Sequence, residues 1–80
     1  MISVVVIGRN VKRLREKLDY SQSFIARRAG VSQSSVGLLE SGIGNPTIHV
    51  LNAIAEALEV DTFVLIMGWH FEDSTVLRTS

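Results

Sequence analysis

Apolar residues recur three and four apart along most of this chain, the spacing that places them on one buried face of a helix. Val11, Leu14 and Leu18 keep that period between Gly8 and about Leu18, with basic residues opposite, and predict a first amphipathic helix. Gln22 opens a second helix carrying Ile25 and Ala26. Gly30 and Val31 follow, and Val36 and Leu39 recur on a third helix running from Ser32 to about Ser41. Ser21 and Ser32 each precede a helical run and carry a hydroxyl able to accept from the free N–H groups of a first turn, so both are predicted N-caps. Gly42-Ile43-Gly44-Asn45-Pro46 reads as a loop. Thr47 then opens a fourth helix with Val50, Leu51, Ile54, Ala55 and Leu58 as its apolar stripe. Val60 to Met67 fits a short fifth helix or a strand, because Phe63, Leu65 and Ile66 suit both. Ile2 to Ile7 is β-branched and reads as a short strand or apolar extension. Trp69 to Ser80 reads as a strand or hairpin turning at Glu72-Asp73-Ser74.

Two residues between helices two and three have mechanical roles. Ala26 is small enough to let a second helix cross closely, and Gly30 can take the positive φ that ends one helix and turns the chain. Two short helices crossing at a tight turn form a helix-turn-helix, which points to DNA. The chain's 80 residues, 46% hydrophobic and 6% aromatic, describe one small all-α domain with a compact core. The expected core spans about residues 7–67, with 68–80 as a C-terminal extension.

Formal net charge is zero, which taken alone argues against a polyanionic partner. The distribution reverses that. Residues 1–39 carry seven bases and two acids, a net +5, whereas residues 40–80 carry one base and six acids, a net −5. A chain polarised in this way can turn a basic face to phosphates while remaining neutral as a whole. Lys12, Arg13, Glu16 and Lys17 also read as an ordinary solvated helix face, a reading that weakens beside the helix-turn-helix pattern.

Enzyme chemistry finds little support, and no cofactor is expected. His49 and His70 are separated by a helix and a loop and have no cysteine partner, so no metal site is expected. Gly42-Ile43-Gly44 lacks the third glycine and the preceding strand of a dinucleotide loop. The lack of cysteine fits a reducing cytoplasm, and the apolar run Ile2 to Ile7 is too short to span a membrane.

Taken in order, Leu14-Arg15, Ser21-Gln22, Ile25-Ala26, Gly30-Val31-Ser32, Val36, Leu39-Glu40, Gly42, Asn45-Pro46, Leu51, Ile54-Ala55, Ala57-Leu58 and Val60 resemble the Cro and phage-repressor type of helix-turn-helix regulators. The resemblance covers about Ile7 to Met67. It implies a five-helix lambda-repressor-like domain whose third helix enters the major groove, with Gln22 at a phosphate beside backbone N–H groups. Base reading then falls to Gln33, Ser34, Gly37 and Leu38. The Gln33 amide can make a bidentate contact to adenine, whereas Leu38 offers only an apolar contact such as a thymine methyl. Ser32, Asn45, Thr47 and Arg27 are the further phosphate contacts expected, because the loop from Gly42 to Asn45 lacks the Lys or Arg often found there in the family. The resemblance also pairs Arg15 with Glu40 as a salt bridge between helices one and three.

The function expected is that of a transcriptional regulator, a repressor acting as a homodimer on a palindromic operator. Phe63, Ile66, Trp69 and Phe71 are the expected dimer contacts, with the N-terminal strand pairing with the tail. Two alternatives use the same fold. One is an antitoxin-like protein that binds a protein partner through its acidic C-terminal half, and the other is a controller of a restriction-modification system.

Overall fold

The computed structural model describes residues 3–67, which form five helices and no strand: α1 (Val4–Lys17), α2 (Gln22–Ala29), α3 (Gln33–Glu40), α4 (Ile48–Ala57) and α5 (Thr62–Met67). The segment expected as a strand is the start of α1. The Ser3 hydroxyl accepts from the N–H groups of Val5 at 3.2 Å and Val6 at 3.4 Å and caps that turn. Strand propensity loses here because it is a weak preference beside packing. A helix puts Val4, Ile7, Val11 and Leu14 on one stripe against the core, whereas an extended chain would send Val4 and Ile7 to opposite faces. The β-branched run therefore extends α1 by a full turn beyond the expected Gly8. Leu18, expected on the stripe, is instead the exposed C-cap of α1.

The predicted N-caps at Ser21 and Ser32 accept from Phe24 and Ser35 at 3.0 and 3.1 Å, and Thr47, expected to open the fourth helix, caps it by accepting from Val50 at 3.1 Å. Each such cap is worth about 1 kcal/mol. Helices α1 to α4 end alike. A residue with positive φ follows the last turn (Asp19, Gly30, Gly42 and Glu59), and paired backbone bonds return from it and its successor to the carbonyls three and five residues back. Glycine occupies the two ends that flank α3, while Asp19 and Glu59 adopt the left-handed conformation despite a Cβ.

Packing builds one core. α2 lies between α3 and α4, α1 crosses α3, and α5 closes the other side by resting on α4 and α1. Ile25, Val36, Ile54, Leu58, Leu65 and Val11 are its fully buried apolar side chains. Asn10, 2% exposed, joins them as a buried polar residue. Its Nδ2 donates to the Leu65 carbonyl at 2.7 Å and ties α1 to α5. Val60 to Met67, ambiguous by composition, thus takes the helical alternative. Val64 and Leu65 face the core, and Asn10 of α1 bonds the backbone of the short helix.

Candidate nucleic-acid interface

The turn between α2 and α3 follows from three residues. Ala26, 4% exposed, lies under the crossing; Gly30 adopts φ 74° and ends α2; and the N–H of Val31 returns to the Ala26 carbonyl at 3.0 Å. α3 starts directly afterwards on its Ser32 cap. Val36 and Leu39 bury its inner stripe. At about 100° per residue, Gln33, Ser34, Gly37, Leu38 and Ser41 share an arc about 140° wide on the opposite side. Gln33, Ser34 and Ser41 are exposed and Leu38 is half exposed, so this arc is open to a partner along its length. It carries no formal charge.

The one charged residue of α3 faces inward and fixes the helix to α1. Arg15 donates from Nε to Glu40 Oε2 at 2.7 Å and from Nη2 to Oε1 at 2.9 Å, while its Nη1 reaches the Tyr20 carbonyl at 2.8 Å. The two side chains are only 13% and 4% exposed. The Glu40 hydrogen bonds push the Arg15 guanidinium above its usual range, and burial opposes them. Gln22 is a third member of this network that sequence reasoning missed. Its Nε2 donates to Glu40 Oε1 at 3.0 Å. A second tie lies nearer the start of α1, where a Cβ on Gly8 would stand 1.9 Å from the Leu39 carbonyl oxygen. The backbones of α1 and α3 touch there because Gly8 has no side chain.

The other residues singled out from the sequence fall around this face with differing commitments. The Ser32 hydroxyl caps α3 and lies 2.9 Å from the Ser35 hydroxyl, and Thr47 caps α4. Asn45 is exposed in the loop before α4, and Arg27 is exposed on the last turn of α2. Its neighbour Arg28 is drawn elsewhere, over the rings of Tyr20 and Phe24 and within 3.5 Å of Glu59. Phe63 is 58% exposed on α5, and Ile66 is partly buried. Trp69, Phe71 and His70 lie outside the described residues, as does the expected C-terminal strand or hairpin. Among the described residues no three His, Asp or Glu side chains gather as metal ligands, and no helix is long and apolar enough to cross a membrane.

Comparison with known proteins agrees with this geometry. The helix-turn-helix family model matches residues 11–65. An HTH-type transcriptional regulator of Sinorhizobium fredii, y4dJ, is 36% identical over 61 residues, covering 76% of this chain and 79% of that protein. The HTH-type transcriptional regulator SinR of Bacillus subtilis is 32% identical over 66 residues, 81% of this chain and 60% of SinR. A crystal structure of SinR in complex with DNA superposes with a TM-score of 0.70 at 33% identity, over 74% of this chain and 95% of that one. The restriction-modification controller protein C.AhdI from Aeromonas hydrophila superposes with a TM-score of 0.75 at 29% identity, over 78% of this chain and 94% of its own. Matched by that family model over residues 11–65 and by relatives above 30% identity, this chain belongs to the helix-turn-helix family of DNA-binding transcriptional regulators.

Proposed function

We propose that the chain represses transcription by binding a palindromic operator as a homodimer, with α3 of each subunit in the major groove. The observation that carries this reading is the contrast between the two sides of α3. Its inner side is fixed by Gly8, Arg15 and Gln22, while its outer arc is exposed, uncharged and rich in hydrogen-bonding groups. Fixing the helix from behind fits a readout in which a few side chains must meet base edges in a set register.

Gln33 and Ser34 supply hydrogen bonds to bases, Gly37 permits close approach, and Leu38 supplies an apolar surface. Phosphates are held by Gln22, Arg27, Asn45 and the capped helix starts at Ser32 and Thr47, where N–H groups point outward. Gln22 can serve both purposes, since its Nε2 carries two hydrogens and Glu40 takes one. Exposed Phe63 and its neighbour Ile66 form the described part of the dimer contact, to which Trp69 and Phe71 are proposed to add; Phe63 is a large apolar surface that needs a partner.

Random-sequence selection with the full chain tests this reading. The expected product is an inverted repeat whose half-sites are centred about 34 Å apart, one helical turn. Recovery of unrelated sequences would remove the operator-binding role.

A further inference from the structure

We propose that Leu38 and Ile43 together form a thymine-methyl reader on the DNA-facing surface, so that the protein distinguishes one thymine in each half-site by its 5-methyl group. The inference rests on the operator-binding reading above and deepens it.

Three observations lead to it. First, α3 has no arginine or lysine, and its only charged residue, Glu40, is engaged by Arg15 and Gln22. The bidentate basic contact to guanine O6 and N7, the commonest specific one in the major groove, is therefore absent from this helix. Sequence has to be read with an amide, hydroxyls and apolar groups. Second, Leu38 lies on the outer arc with 50% of its surface exposed, and Ile43, in the turn that ends α3, is 59% exposed. Leu38 lies one helical turn beyond Ser34 on the outer arc, so the apolar surface it forms with Ile43 starts on the proposed reading face and runs past the end of α3. Third, the backbone fixes the pair. The N–H of Ile43 donates to the Leu38 carbonyl at 3.0 Å, Gly42 takes φ 77° to allow that bond, and both side chains line one open depression of about 230 Å³ together with Ser35, Asn45 and Thr47.

In the major groove, the thymine 5-methyl is the apolar group a base edge presents. Burying it against Leu38 and Ile43 removes a methyl group from water, and losing it is expected to weaken binding about fourfold per half-site. An apolar contact to deoxyribose would instead weaken all sequences alike.

The test uses the duplex recovered by selection, with each thymine replaced in turn by deoxyuridine, which deletes only the methyl. The full chain and its Leu38→Ala variant are titrated against each duplex; the half-exposed position allows that variant to fold. One thymine per half-site is expected to lose about fourfold on substitution with the wild-type chain. With Leu38→Ala the parent duplex is expected to weaken by a similar factor, and the same deoxyuridine then to have no further effect. The inference is overturned if no thymine responds, or if Leu38→Ala weakens thymine and deoxyuridine duplexes while leaving their ratio unchanged. Failure of the selection to enrich any site would overturn the operator-binding reading and this inference with it, whereas an enriched site indifferent to methyl removal would overturn this inference alone.

Discussion

Gly8→Ala is expected to destabilise the domain by at least about 3 kcal/mol, although alanine is the better helix former by about 1 kcal/mol. The added methyl would lie 1.9 Å from the Leu39 carbonyl oxygen, 2.9 Å from its carbonyl carbon and 3.2 Å from the Glu40 Cα. All three are backbone atoms, so no side-chain rotation relieves the overlap and α1 must move away from α3. That movement also draws Arg15 from Glu40, which ties α1 to the end of the same helix. Gly37→Ala is the matched control. It too replaces a helical glycine, but its methyl would meet nothing nearer than Gln22 Oε1 at 3.6 Å, an ordinary contact. Urea unfolding of both variants is the check: Gly37→Ala is expected to gain up to about 1 kcal/mol while Gly8→Ala loses several times that. A Gly8→Ala midpoint at or above that of the wild type would show that the two helices do not meet at this point.

The second large effect is expected at Glu40. Glu40→Gln keeps the shape of the side chain but leaves the Arg15 guanidinium, 13% exposed, without the carboxylate it is hydrogen-bonded to. Removing one partner of a buried pair costs about 3–5 kcal/mol, far more than the less than about 1 kcal/mol of an exposed pair. Replacing both residues, as Arg15→Met with Glu40→Leu, is expected to recover most of that loss, because no unpaired charge then remains buried. Urea midpoints of the single and double variants separate the cases. An unchanged midpoint for Glu40→Gln would mean that solvent already shields the pair.

What the sequence made legible was whatever depends on local chemistry. Ser21 and Ser32 could be read as caps, Thr47 as the start of α4, and Gly30 as a left-handed turn, because each role follows from one residue's own groups. The buried stripes of α2, α3 and α4 followed from spacing. The misreading of residues 2–7 came from β-branched side chains, whose preference is settled by what they pack against. Ser3 carried the missing signal, a capping residue directly before Val4. Gly8 read as a helix boundary, yet it lies on the face of α1 that meets α3, where the neighbouring backbone forbids a Cβ. Such a contact between helices distant in sequence has no local mark. Asn10 was hidden for the same reason: a polar residue on an amphipathic helix reads as solvated until its partner, the Leu65 carbonyl, is in place. The Arg15–Glu40 pair came from family resemblance, and only the folded chain shows that Gln22 joins it. The outer arc of α3 was legible because its residues are those that the buried stripe leaves over.

The central claim is that the uncharged outer arc of α3 selects the DNA sequence, and Gln33 is the residue through which it is tested most directly. The measurement is parallel binding-site selection with the wild-type chain, Gln33→Ala and Gln22→Ala. Gln33→Ala is expected to bind the wild-type operator about 1–3 kcal/mol more weakly and to lose preference at one base pair per half-site, an adenine in the wild-type selection. Gln22→Ala is expected to weaken every sequence alike with the preferred site unchanged. A Gln33→Ala selection that returns the wild-type base preference at every position would contradict the account.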